Sequence, residues 1–124
     1  MIALGTDLLE IARVERVWRR HPQRFARRVL TPRELEHYGK AAQPWRYLAK
    51  RFAAKEAIAK ALGCGIGIRL SWQDMEISNA AGGAPLVALS GQALAIAREQ
   101  GGARVLLSIS DEQHYAVAFA ALVA

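Results

Sequence analysis

The chain has 124 residues, 52% of them apolar, a net charge of +6 and a pI near 10.1. That length fits one domain, spanning 1–124, and that composition can fill a core without covalent staples. With Cys64 as the only cysteine no internal disulfide can form, which matches a reducing, cytoplasmic compartment. The N-terminus lacks a signal-peptide pattern, and no uncharged run approaches the ~18 residues of a spanning helix, so no membrane role is expected.

The charge is unevenly placed. Residues 1–60 carry 14 Lys+Arg against 6 Asp+Glu, and residues 61–124 carry 3 against 5. A partner surface is therefore expected on the first half. A basic surface attracts any polyanion, whether nucleic acid, membrane, phosphorylated small molecule or acidic protein, and charge alone does not choose among them.

Ile2 to Leu4 reads as a short strand ending at Gly5. Asp7 and Glu10 have capping-box spacing, which predicts a helix from about Leu8 with Ile11, Val14 and Trp18 as its apolar stripe. Pro22 interrupts that helix, and a second short one covers Gln23 to Val29. Thr31-Pro32-Arg33-Glu34 is the cleanest start signal in the chain, with a capping threonine, proline at the first position and a closing glutamate. That helix should reach about Ala42, and another should run from Trp45 to Leu62 and stop at Gly63.

After the loop Gly63-Cys64-Gly65-Ile66-Gly67 the pattern shortens. Trp72 to Ser78 and Leu86 to Leu89 read as strands around a glycine-rich turn. Ser90 is expected to cap a helix ending at Gly101-Gly102, and Val105 to Ser110 with Tyr115 to Val123 form a closing antiparallel pair. Ala116 to Ala124 holds no polar residue, which predicts burial on both faces, partly by another subunit. The order of elements gives an α+β fold, an antiparallel sheet with a helical N-terminal half.

Two carboxylates stand out by context. Asp7 follows an apolar strand, and Glu56 sits inside the alanine-rich run Phe52 to Ala61. Lys60 lies four residues after Glu56 on the same helical face, which Phe52 and Ala59 suggest is turned inward. Magnesium prefers hard oxygen ligands and commonly takes one or two carboxylates plus phosphate oxygens. A lysine beside it adds a point charge for the same phosphates. Each residue also has a plainer reading, Asp7 as a helix cap and Glu56–Lys60 as a surface ion pair worth a few tenths of a kcal/mol. Arg13, Arg16 and Arg20, then Arg24, Arg27 and Arg28, form a one-sided basic run that favours docking over a merely solvated face. Cys64 and the three tryptophans read as packing residues, and His21, His37 and His114 have no metal-ligand spacing.

Together these residues resemble the holo-acyl-carrier-protein synthase family of 4′-phosphopantetheinyl transferases. The resemblance rests on Gly5-Thr6-Asp7 with Arg13, on Arg28-Val29-Leu30-Thr31, on Arg51 to Ala61 (Arg-Phe-Ala-x-Lys-Glu-Ala-x-x-Lys-Ala), on the glycine loop and on the segment from Ser71. It covers the chain in order. It implies a compact α+β trimer with sites between subunits, moving the phosphopantetheine arm of coenzyme A to a serine of apo-acyl carrier protein in the presence of Mg2+. It implies Asp7 and Glu56 as metal ligands, and Asp7, Glu56 and Lys60 as catalytic. For the base we expect Asp7, acting through a metal-bound water, with Glu56 as the alternative. Lys60, Gly63, Gly65 and Arg51 would contact coenzyme A, and Arg13, Arg20, Arg24 and Arg28 would dock the acidic carrier. Two positions depart from the pattern. Asp111 stands where many relatives have histidine, and Ala84 where relatives often have lysine. The competing reading, a small basic nucleic-acid-binding protein, finds no helix-turn-helix, zinc pattern or interleaved aromatics to support it.

Overall fold

The computed structural model describes all 124 residues. The first element is longer than its apolar core suggests. Strand β1 spans Ala3–Glu10 because all eight residues pair antiparallel with the C-terminal strand, from Ala3 opposite Leu122 to Glu10 opposite Tyr115. Pairing with an interior strand outweighs the local capping signal. The Asp7–Glu10 capping box therefore does not form. Asp7 lies within the strand, and helix α1 (Ile11–Arg20) begins after an uncapped Glu10.

Helix α2 (Pro22–Val29) follows after the single residue His21. Helix α3 (Pro32–Lys40) carries the predicted capping box in full, with Thr31 accepting from the Glu34 amide and Glu34 accepting from the Thr31 amide. It ends two residues before Ala42. Helix α4 (Pro44–Leu62) is the long central element, closed at Gly63, which adopts the left-handed conformation at φ 77° that favours glycine.

The second half adds strands β2 (Met75–Asn79) and β3 (Pro85–Leu89), helix α5 (Gly91–Glu99), and strands β4 (Arg104–Asp111) and β5 (Tyr115–Val123). Trp72–Asp74, expected as strand, is a 3-10 turn locked by a capping box between Ser71 and Asp74. Ser90 occupies the N-cap of α5, but its hydroxyl lies against the Asp74 carbonyl rather than capping the helix.

The main sheet has the order β1-β5-β4, and β2-β3 form a separate hairpin. Helix α4 lies across the inner face of the main sheet. Small residues make this possible. Ala53, Ala57 and Ala61 of α4 and Ala118 and Ala120 of β5 are at most 2% exposed. The tightest point is Gly5. A β-carbon there would stand 2.0 Å from the Ala57 carbonyl oxygen and 2.5 Å from the Ala61 amide nitrogen. Gly5→Ala must push β1 away from α4. We expect it to cost about 3 kcal/mol, as overpacking against rigid backbone does, measured as a lower midpoint in urea unfolding.

The inner residues of β5 (Ala116, Ala118, Ala120, Leu122) are fully buried, but Tyr115, Val117 and Phe119 are exposed on the opposite face. The expectation of burial on both faces is thus not met within one chain. Two apolar cores meet along α4. One gathers α4, α5, β2 and β5, and the other gathers α1, α2, α3 and the first half of α4. Trp18, Trp45 and Trp72 all pack against the second, as expected of core residues.

A buried ion pair that the sequence reading did not single out ties this second core together. Lys55 Nζ donates to Glu34 Oε1 at 2.7 Å, to the Val29 carbonyl at 2.7 Å and to the Trp72 carbonyl at 3.1 Å. Burial pulls the Lys55 pKa down, opposed by the Glu34 carboxylate. Glu34 also accepts from the Thr31 and Ile77 amides, both at 2.8 Å.

Candidate functional site

Strand parity decides where Asp7 points. Ala3, Gly5, Asp7 and Leu9 alternate toward α4, while Leu4, Thr6 and Leu8 face outward. Gly5 brings β1 against α4 at Ala57 and Ala61, and the next inward residue, Asp7, then falls beside Lys60 and Glu56. Lys60 Nζ donates to the Thr6 carbonyl at 2.9 Å and to Asp7 Oδ1 at 3.2 Å. The lysine therefore bridges from α4 to the strand rather than pairing with Glu56, and it is exposed rather than turned inward.

Glu56 is half-buried, and no donor of the protein reaches its carboxylate. Burial raises its pKa first, the Asp7 charge raises it further, and Lys60 opposes both. A carboxylate whose charge is disfavoured by a second one beside it is a site that a divalent cation could stabilise. No third His, Cys, Asp or Glu joins them. This donor set suits a hard ion that completes its shell with water and phosphate, not a structural zinc.

The pair opens into a cleft of about 360 Å³ whose other walls include Arg13, Leu8, Val17, Phe25 and Phe52. Val17 and Phe25 also border the neighbouring groove with His21, Arg24, Arg27 and Arg28. The carboxylates and the arginine face are thus contiguous. Arg16 and Arg19 contact Glu10 and Glu15, whereas Arg13, Arg20, Arg24 and Arg28 make no ion pair and are exposed.

The remaining predicted residues lie elsewhere. Gly63 and Gly65 follow the C-terminal end of α4, one turn beyond Lys60, and both are exposed. Arg51 lines a separate recess of about 130 Å³ with Lys50, Asn79, Gly83, Pro85 and Ile109. It is 5% exposed, donates to Asn79 Oδ1 at 3.1 Å, and stacks on the Tyr47 ring at 4.7 Å. Its Nε and the Tyr47 hydroxyl are buried without partners, and burial pushes the Tyr47 pKa up. Asp111 bonds Arg46 at 3.0 Å and lies 3.8 Å from Lys50, so it fastens the β4–β5 end to α4.

The charge state of Glu56 yields a prediction. Its folded pKa is raised, so its own contribution to the stability of the metal-free protein grows as pH falls through that value and is lost as pH rises. A divalent ion needs both carboxylates ionised and competes with the proton. If the pair holds a divalent ion, magnesium should raise the melting temperature more at pH 8 than at pH 5.5, and in the Glu56→Gln variant most of that rise should be lost at both. Differential scanning calorimetry with and without chelator measures this directly.

The carboxylate pair, Lys60 and the adjoining arginines make a site suited to an anionic, phosphate-bearing ligand. The family model that matches residues 3–120 is that of the 4′-phosphopantetheinyl transferase superfamily, and the chain belongs to it. Within that superfamily it is an enzyme of the holo-[acyl-carrier-protein] synthase family. It is 52% identical to such a synthase from Shewanella piezotolerans, over 95% of each chain. The structure of the synthase from Neisseria meningitidis matches with a TM-score of 0.91 and 42% identity, covering all of both chains. The synthase from Helicobacter pylori, determined in complex with coenzyme A, matches with a TM-score of 0.83 and 33% identity over 96% of this chain and 98% of that one.

Proposed function

We propose that this enzyme transfers 4′-phosphopantetheine from coenzyme A to a serine of apo-acyl carrier protein in a magnesium-dependent reaction. The serine oxygen attacks the β-phosphorus, the phosphorus–oxygen bond to the nucleotide breaks, and adenosine 3′,5′-bisphosphate leaves. The serine proton has two carboxylates to go to in the cleft, Asp7 or Glu56. The observation that carries this reading is the Asp7–Glu56 pair, with Asp7 bonded to Lys60, opening directly onto unpaired arginines. Asp7 and Glu56 would hold the magnesium, which neutralises diphosphate charge when bound. Lys60 supplies a further positive charge at the same place. Phe25, Phe52 and Val17 line the apolar wall of the cleft.

Arg51 and the glycines at the end of α4 are assigned to coenzyme A. The buried guanidinium, its Nε without a protein partner beside Lys50, suits an anionic group of that substrate. Catalysis is positioning and charge neutralisation, since the nucleophile belongs to the carrier. The test is incubation with apo-carrier protein, coenzyme A and magnesium, followed by mass spectrometry of the carrier. A gain of one phosphopantetheine supports the assignment, and an unchanged carrier mass with folded enzyme refutes it.

Arg13, Arg20, Arg24 and Arg28 are assigned to docking of the acidic carrier. Arg24→Glu should raise the KM for carrier protein about tenfold, the size expected for reversing one charge at a complementary face, while the KM for coenzyme A stays within twofold. Steady-state kinetics with each substrate varied in turn separates the two.

The exposed apolar residues Leu4, Leu8, Leu106, Val117 and Phe119 share the outer face of the main sheet. Such a patch supports self-association, and a homotrimer is the proposed state. Sedimentation equilibrium gives the mass. No helix is long and apolar enough to cross a membrane, and a reducing cytoplasm is the proposed compartment, consistent with the lone Cys64.

A further inference from the structure

Helix α2 carries Arg24 and Arg28 on its exposed side and Phe25 against the cleft, yet it has only eight residues. A helix this short has little stability of its own, and its placement depends on what holds its ends. Its N-terminus hangs on one linking residue, His21. Its C-terminus is held by side chains from elsewhere.

The carbonyls at the end of a helix lack helical partners. Here that of Ala26 accepts from the Leu30 amide at 2.8 Å. The next four lie within reach of two side chains. Lys55 takes the Val29 carbonyl. Gln73 Nε2 lies 3.1 Å from the Arg27 carbonyl oxygen, 3.4 Å from that of Arg28 and 2.8 Å from that of Leu30. Three acceptors around one atom fix that atom as the amide nitrogen. Gln73 itself is exposed and sits on the 3-10 turn that the Ser71–Asp74 capping box holds rigid.

We propose that Gln73 is a positioning residue for carrier docking. It clamps the C-terminal carbonyls of α2 and so sets Arg24, Arg28 and Phe25 at the correct distance from Asp7 and Glu56. This rests on the docking assignment of the arginines. The residue touches neither substrate nor reacting atoms. It acts through the helix it ends, and Lys55, one residue before Glu56, joins the same clamp to the helix that carries the metal site.

Three variants test it beside Arg24→Glu. Gln73→Ala removes the donor and should raise the KM for carrier protein about fivefold, the size one net hydrogen bond accounts for, with kcat and the KM for coenzyme A within twofold of wild type. Gln73→Glu turns a carboxylate toward three carbonyls and should raise it further. Gln73→Lys restores a donor, with a positive charge that favours a helix C-terminus, and should return the KM to within twofold. Amide hydrogen exchange of residues 27–30 should quicken in the first two variants and not in the third. Wild-type carrier KM in Gln73→Ala and Gln73→Glu, with Arg24→Glu still impaired, overturns the clamp and leaves the docking face standing. An unaltered KM in Arg24→Glu removes the docking face, and the clamp with it. A parallel loss of kcat and coenzyme A affinity in Gln73→Ala shows general loosening and also overturns the proposal.

Discussion

Asp7→Ala and Glu56→Ala should each lower magnesium-dependent transfer about 10³-fold, which corresponds to the several kcal/mol a metal contributes to stabilising phosphoryl charge. Each variant should remain folded. Asp7 is a strand residue whose backbone stays paired with β5 whatever its side chain. Glu56 accepts no hydrogen bond, and removing it takes away a carboxylate whose charge is disfavoured first by burial and then by Asp7. Glu56→Ala is therefore expected to melt at or above the wild-type temperature without magnesium, and to lose the magnesium-induced rise. Near-normal transfer in either variant would defeat the metal assignment. The comparison of activity with melting temperature matters because it separates loss of a ligand from loss of the fold.

Lys55→Met is expected to act in the opposite way, on stability first. Its ammonium is fully buried, and its loss leaves the Glu34 carboxylate without its cation and the Val29 carbonyl without a donor, while the Trp72 carbonyl keeps only the Met75 amide. Breaking a buried pair from one side costs about 3–5 kcal/mol. Chemical denaturation should show that loss. The double variant Lys55→Met/Glu34→Gln removes the uncompensated charge but keeps an amide oxygen for a backbone donor, so it should recover about half of it. Equal destabilisation in single and double variants would mean that the stranded charge is not the cause, and that the lost carbonyl contacts are.

The helical half of the chain was legible because its signals are local. Thr31-Pro32-Arg33-Glu34 set the start of α3, and Gly63 set the end of α4, each through bonds within a few residues. The Asp7–Glu10 spacing misled for the complementary reason. A capping box is worth about 1 kcal/mol, and pairing along the whole of β1 with β5 outweighs it, but the partner lies more than a hundred residues away. Trp72 to Asp74 looked like strand from composition, and became a turn through the Ser71–Asp74 bonds. The role of Gln73 had no signal in the sequence at all, since its acceptors are main-chain atoms over forty residues earlier.

Asp7, Glu56 and Lys60 were each ambiguous when read singly, as a cap and as one helical ion pair. The sequence by itself determined which reactive groups are available, the basic first half, the start of α3, the end of α4 and the family pattern that joins them, because residue type and near spacing are written directly in the chain. Only the tertiary structure decided that Lys60 reaches Asp7 instead of Glu56, that Asp7 faces α4, and that both carboxylates open onto the arginine surface. The physical reason is Gly5. Its missing β-carbon lets a strand and a helix fifty residues apart come into backbone contact, and that approach, not any local propensity, assembles the site.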